Sequence, residues 1–301
     1  MTSLLDELTS SGHQVAQEAG PAVVGVGRRG SGVVVAPGLV ATNAHNVSHG
    51  KGRHDHPHPG GTEVTFADGR VETAEVRAAD LDGDLAVLAV DTGDVASIEW
   101  ADTAPQAGDA VFALANPGGR GTRLSFGIVS SVGREFRGPR GRRIAGSFEH
   151  TAPLARGSSG GPVLDRSGRA IGLNTHRLGE GFYLALPVDE ALRTRLDDLS
   201  QGTVPDRRSL GVAVVPPRVA RKLRAAVGLD EHDGLLVRAV DPDAPAAGAG
   251  VREGDLIVEV GGQAITSVDD LHAVLDDWTE PTLELRVLRG TDTHTISVTF
   301  D

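Results

Sequence analysis

Gly157-Ser158-Ser159-Gly160-Gly161-Pro162-Val163 is the segment on which the reading of this chain turns. A serine among glycines supplies what an acyl-transfer nucleophile needs. Gly157 lets the backbone bend so that amide N–H groups face a developing oxyanion, and Gly160 and Gly161 keep side-chain bulk away from the hydroxyl. Glycine-serine clusters also make ordinary loops, so the segment alone leaves a hydrolase and a linker equally open. Its partners decide between them.

A Ser nucleophile needs an imidazole to take its proton and a carboxylate to orient the imidazole. Among eleven histidines, His45 has the suggestive setting, in Thr42-Asn43-Ala44-His45-Asn46-Val47 just after the apolar run Val33–Val35. Asp84 directly precedes the apolar run Leu85-Ala86-Val87-Leu88, where a partly buried carboxylate is tolerable only with hydrogen-bond partners. A lone Asp before a strand is usually a turn cap and a lone loop His is usually solvated, so the three residues gain meaning only together. Ser158 is the competing nucleophile, but only Ser159 is followed directly by Gly-Gly.

Length and composition frame the rest. At 301 residues, 39% hydrophobic and 23% charged, the chain allows two globular domains. A net charge of −12 argues against a nucleic-acid partner, which needs a basic footprint. The absence of cysteine removes disulfides, thiolate metal sites and a Cys nucleophile. Met1 to Glu7 has neither a basic nor an apolar leader pattern, and no apolar run approaches the roughly 18 residues of a spanning helix. Taking Met1 as the native start, these features predict a cytoplasmic protein; an exported or anchored form whose leader had been removed would read the same.

From Pro21 to about Val188 the pattern is one of short Val-rich runs between Gly, Pro and Asp: Ala22–Gly27, Gly32–Ala36, Glu63–Phe66, Leu85–Val90, Ala110–Leu114, Gly127–Val132, Pro162–Leu164 and Ala170–Asn174. Such spacing predicts an all-β sandwich or barrel. Helices are predicted at Leu4–Glu18 and Val188–Leu199. Ser200–Ser209 reads as a polar linker. The second unit offers helices at Pro217–Val227 and Val268–Asp277 and strands at Gly234–Val240, Leu256–Val260, Thr282–Leu288 and His294–Phe300. No internal repeat is visible.

Taken in order, His45, Asp84 and Ser159 follow the His-Asp-Ser sequence of double-barrel serine proteases. Thr42-Asn43-Ala44-His45, Asp84-Leu85-Ala86-Val87-Leu88, Ala115-Asn116-Pro117-Gly118 with Gly127-Ile128-Val129-Ser130, and the nucleophile segment resemble the HtrA/Deg family of serine proteases over residues 20 to 190. The resemblance implies a mostly β fold, a chymotrypsin-like double β-barrel, with His45 as general base, Asp84 as orienting carboxylate and Ser159 as nucleophile. Its oxyanion hole would use the N–H groups of Gly157 and Ser159. The chain also departs from the pattern. Ser158 stands where Asn is usual, Asn46 replaces the usual apolar residue after the histidine, and Gly118-Gly119 replaces a Phe-containing turn. With no acid at Ser158, a freed N-terminal amine has no partner, which speaks against zymogen activation.

Thr151 to Arg156 should form one wall of the S1 pocket and Gly181–Pro187 the facing strand, with Leu154 and Tyr183 making a modest apolar pocket. That wall carries no Asp or Glu, so cleavage is expected after small or medium aliphatic residues. Arg134–Arg143 reads as a flexible basic loop or a solvated hairpin tip. The His54/His56/His58 tract reads as an exposed loop rather than a metal site, and neither a metal nor any other cofactor is expected. Ser209-Leu210-Gly211-Val212, Asp243-Ala244-Pro245-Ala246, Ala249-Gly250-Val251 and Gly254-Asp255-Leu256-Ile257 resemble a PDZ domain, a small α+β unit. That resemblance implies β-augmentation by an extended peptide, whose terminal carboxylate meets the N–H groups of Leu210, Gly211 and Val212. Leu271 and Leu275 would line the groove opposite, or be core.

The expected domains are a segment over 1–20, the protease over 21–199, a linker over 200–208 and the PDZ unit over 209–301. The family implies an ATP-independent endopeptidase for unfolded or damaged proteins, and no Walker-type loop is present. A peptide-binding chaperone with weak or absent proteolysis and a dedicated processing protease are the rival readings. Family members are commonly trimers, so a homo-oligomer is part of what the resemblance implies.

Overall fold

A computed structural model describes residues 3–48, 61–139, 141–179, 181–205 and 207–300. The chain divides into two compact units, Met1–Pro205 and Asp206–Asp301.

The first unit opens with α1 (Leu4–Glu18), started by a reciprocal cap in which Asp6 N–H donates to Ser3 Oγ and Ser3 N–H to the Asp6 carboxylate. Those bonds hold the Asp6 carboxyl below its ordinary pKa. Six strands then close a barrel: β1 (Val23–Val26), β2 (Gly30–Ala36), β3 (Leu39–Thr42), β4 (Thr62–Thr65), β5 (Val71–Asp80) and β6 (Leu85–Ala89), in the order β1-β2-β3-β6-β5-β4. Six more form a second: β7 (Ala110–Ala115), β8 (Arg123–Arg137), β9 (Arg143–His150), β10 (Pro162–Leu164), β11 (Ala170–Arg177) and β12 (Tyr183–Pro187), ordered β7-β8-β9-β12-β11-β10. The second order is the first advanced by six. One topology is therefore built twice from sequences that show no repeat.

The aromatic-poor composition is met by small β-branched cores. Val23, Val24, Val33, Val34, Val40, Val87 and Leu88 are wholly buried in the first barrel. Each such side chain removed from water contributes about 1.5–3 kcal/mol. Each predicted run overlaps one of these strands, and those at β1, β4 and β6 pass its ends by a residue, but β3, β5 and β9 match no predicted run. In β5 exposed Val71, Glu75 and Arg77 alternate with buried Ala74, Ala78 and Asp80, so its inward face is mostly small and its outward face mostly charged. Of the two readings of the basic stretch, flexible loop or hairpin tip, the structure shows the hairpin, since β8 runs to Arg137, β9 resumes at Arg143 and the two pair antiparallel. The His54/His56/His58 tract lies outside the described residues.

The one-turn helix α2 (Ala44–Val47) follows β3, and α3 (Glu190–Ser200), capped by Asp189, closes the unit. Arg195 of α3 donates to Asp80 and to Gly83 O, fixing the turn before β6.

The second unit is a sheet ordered β13 (Val212–Val215), β14 (Leu235–Val240), β15 (Leu256–Val260), β17 (Thr282–Arg289), β18 (Asp292–Thr299), with the short β16 (Gln263–Ala264) paired to β15. It carries α4 (Pro217–Ala226), α5 (Pro245–Gly248) and α6 (Val268–Asp277). Leu283, Leu285 and Val287 alternate with exposed Glu284 and Arg286 along β17, the period of a half-buried strand. Buried Asp255 receives a two-pronged contact from Arg289, at 2.8 and 2.9 Å, which raises the guanidinium pKa.

Candidate active site

Three separate segments converge at one edge of the first unit. Pairing of β3 with β6, with Thr42 opposite Ala86, brings α2 against the turn that precedes β6. His45 Nδ1 lies 2.8 and 2.9 Å from the two Asp84 carboxylate oxygens, and the His45 N–H also donates to Asp84 Oδ1. The carboxylate is buried while the imidazole is 38% exposed, so the ring is open to solvent and its partner is not. Thr175 on β11 donates its hydroxyl to Asp84 Oδ2 at 2.7 Å, and Asn43 Nδ2 donates to Asp84 O. Buried charge is tolerable here because each carboxylate oxygen is bonded. Asp84 is also the sole non-glycine described residue in the left-handed region, at φ 51°. That backbone strain is held by contacts on every side and aims the carboxylate at the ring.

Ser159 sits in the loop before β10. Its hydroxyl donates to the Thr175 carbonyl at 2.8 Å, and no hydrogen bond joins it to His45. Gly157 has φ +91°, and a Cβ there would lie 1.7 Å from Arg29 O, so only glycine fits. The N–H groups of Gly157 and Ser159 have no acceptor among the described residues. Ser158, by contrast, is buried, and its N–H donates to Ala155 O. Ser158 also borders the cleft that Ser159 lines, but it is 3% exposed and its N–H is engaged.

A cleft of about 160 Å³ is lined by Leu154, Gly157, Ser159, Asn174, Thr175 and Tyr183, together with the basic His176 and Arg177. Among the described residues no Asp or Glu lines it. Tyr183 OH donates to Leu154 O at 3.3 Å, joining the two walls read from the sequence. Behind Tyr183, and stacked on it at 5.8 Å, lies the wholly buried His150. The carboxamide of Asn174 donates to Gly161 O, so its Oδ1 must accept from His150 Nε2 at 2.8 Å. Burial pushes this imidazole below its ordinary pKa, and among the described residues its Nδ1 has no hydrogen-bond partner. Neither Thr175 nor His150 has a local sequence signature. Only the fold brings them to the site.

In the second unit, Gly211 adopts φ +70° and its N–H donates to Ser209 Oγ at 3.2 Å. Leu210 is buried and its carbonyl accepts from Ala246 N–H, while Val212 begins β13, whose residues are half-buried at the edge of the sheet. Leu271 and Leu275 are 4% and 3% exposed and belong, with Val274, to the core of the unit. Among the described residues no cluster of His, Cys, Asp or Glu has the arrangement of a metal site.

Comparisons with known proteins agree with this architecture. Residues 30–173 match the trypsin-like peptidase domain and residues 236–289 the PDZ domain. A probable periplasmic DegP-like serine endoprotease of Halomonas elongata is 32% identical over 281 residues, covering 90% of this chain and 56% of the relative. The putative serine protease HhoA of Synechocystis is 32% identical over 277 residues, covering 87% of this chain and 68% of the relative. The serine endoprotease structure from Yersinia pestis covers 96% of both chains at 27% identity and a TM-score of 0.62. An HtrA-type protease, AlgW with a tripeptide, covers 96% of both at 27% identity and a TM-score of 0.57. The chain belongs to the HtrA/DegP-like family of serine proteases, with a trypsin-like domain and a PDZ domain. It spans about half the length of the DegP-like relatives, 56% and 46% for those of Halomonas elongata and Brucella suis. The cytoplasmic location expected from the sequence is corrected here. Relatives from Halomonas, Brucella and Bartonella are named periplasmic, and the composition of Met1 to Glu7 carries no weight against that.

Proposed function

We propose that this chain is an ATP-independent serine endopeptidase of the cell envelope that cleaves unfolded or damaged proteins, with its PDZ unit taking peptide C-termini. The observation that carries the reading is the His45–Asp84 pair, joined through Thr175 to Ser159 in the wall of a cleft that also holds two unengaged N–H groups. In this reading the protease spans 21–199 and the PDZ unit 209–301, and the working assembly is a homo-oligomer, a trimer by family resemblance.

Asp84 accepts the Nδ1–H of His45 and leaves the lone pair on Nε2. Ser159 Oγ rotates away from the Thr175 carbonyl, gives its proton to Nε2 and attacks the substrate carbonyl carbon. The resulting oxyanion meets the N–H groups of Gly157 and Ser159. The imidazolium then protonates the leaving amine, and the C–N bond breaks to leave an acyl-enzyme. Water, deprotonated by His45, releases the acyl group and restores the Ser159 hydroxyl. A cleft with no carboxylate among its described lining residues and with basic neighbours disfavours Lys and Arg, so the residue before the cut is small or medium and aliphatic, held by Leu154 and Tyr183.

Digestion of a generic unfolded protein by the wild type and by Ser159→Ala, with the cut sites mapped, tests the proposal. Cleavage by the wild type alone, after aliphatic residues, is expected. Retained cleavage by Ser159→Ala would remove Ser159 as the nucleophile. A wild type that neither cleaves nor reacts with a fluorophosphonate would instead mark a peptide-binding chaperone.

A further inference from the structure

Asn46 follows His45 directly in α2, where the family resemblance leads to an apolar residue. Its Nδ2 donates to the main-chain carbonyl of Ser159 at 2.9 Å and to Thr42 Oγ1 at 3.0 Å, with a longer contact to Ser31 O at 3.5 Å. Since Ser159 O can only accept, chemistry fixes which carboxamide atom faces it. The second lone pair of the same carbonyl takes the Ser31 N–H at 3.1 Å. Ser31 is wholly buried and in turn donates its hydroxyl to Gly157 O at 2.8 Å while accepting the Asn116 N–H at 3.1 Å.

The consequence lies in how peptide planes alternate along the nucleophile loop. The carbonyls of Gly157 and Ser159 are anchored backwards onto the first barrel. The two planes that contribute the unengaged N–H groups of Gly157 and Ser159 each adjoin an anchored one. An anchored plane cannot rotate without breaking its bonds, so it also limits its neighbours. We propose that Asn46 is a positioning residue for Ser159. It locks the peptide plane after the nucleophile and ties the turn that bears the base to the loop that bears the nucleophile. This role rests on the endopeptidase reading above.

Gly30 makes room for the bond, since a Cβ there would lie 2.6 Å from Asn46 Cγ. Two different variants therefore remove it. Asn46→Leu keeps the approximate shape and loses the donor, and Gly30→Ala keeps the donor and displaces it. The full chain is titrated with a fluorophosphonate to count competent sites, then assayed on an internally quenched aliphatic peptide. Both variants are expected to lower the phosphonylation rate and kcat per titrated site by about tenfold, the worth of one such hydrogen bond, with KM unchanged. A purely structural role would lower the number of titratable sites or the melting temperature while leaving kcat per site at the wild-type value. That result in both variants would overturn the proposal. Failure of the wild type to react would overturn the endopeptidase reading, and this role with it.

Discussion

Two loops in this chain set backbone N–H groups around a glycine at positive φ, Gly157 at +91° in the first unit and Gly211 at +70° in the second. They are held in opposite ways. The Gly157 loop is braced by residues far away in sequence, Ser31 at a separation of 126 and Asn46 at 113 from the carbonyls they bind. The Gly211 loop is held nearer home, by Ser209 Oγ on its own N–H and by the Asp241 N–H on its carbonyl. The first arrangement leaves donors free and rigid, which suits charge that develops in a transition state and finds its partners already in place. The second has one donor already engaged, so an incoming carboxylate must exchange a bond rather than simply gain one.

The largest expected effect tests the first loop through its base. Asp84→Asn would turn an amide N–H₂ or a neutral carbonyl toward His45 and lose the preference for the reactive tautomer. We expect kcat to fall by about 10³–10⁴-fold with the melting temperature little changed. A loss under tenfold would mean that His45 is oriented by something other than Asp84. Next, Gly157→Ala places a methyl against Arg29 O in a conformation strained for any side chain, and should abolish most titratable sites. Gly211→Ala, also at positive φ, places its methyl 2.0 Å from the Ala244 Cβ, and should weaken binding of C-terminal peptides while sparing cleavage of short peptides. Equal loss of cleavage from both variants would erase the distinction between the loops.

A smaller effect concerns His150, which supports the cleft wall from behind. Its folded-state pKa is depressed by burial, whereas the unfolded chain takes up a proton near the ordinary value of 6.5. Stability contributed by the neutral ring is therefore complete above about pH 6.5 and lost as the pH falls toward the folded-state pKa, by up to about 1.4 kcal/mol per pH unit. Thermal melts of wild type and His150→Gln between neutral and mildly acid pH should diverge in slope, and parallel curves would refute this. The smallest effect is that of Ser209→Ala, which frees the Gly211 N–H. Peptides with a free C-terminus should then bind a few-fold tighter, by roughly 0.5–1 kcal/mol, whereas C-terminally amidated peptides should not. Titration calorimetry on both peptides separates these outcomes.

Much of the site was legible because its residue types are chemically distinctive and their chain order is constrained. His45, Asp84 and Ser159 each adjoin an apolar run that becomes β3, β6 or β10, and strand pairing then brings the turns together. Leu154 and Tyr183 were legible by position and do line one cleft. Less legible were residues whose role depends on an approach from another barrel. Thr175 looks like any strand threonine until its hydroxyl meets Asp84, and Asn46 looks like a departure until Ser159 O is found beside it. The polar strand β5 was missed because its inward residues are mostly small.

By itself, then, the sequence determined the chemistry available to this protein: a hydroxyl, an imidazole and a carboxylate in order, glycines where a side chain would collide, and no cysteine or acidic pocket wall. The tertiary structure decided the rest. It built one barrel topology twice, placed Ser31 and Asn46 behind the loop that bears Ser159, left the Gly157 and Ser159 N–H groups without an acceptor among the described residues, and parked the Ser159 hydroxyl on Thr175 rather than on His45. The reason is physical. Residue type fixes what bonds a group can make, but contacts across more than a hundred residues exist only once two barrels have closed against each other.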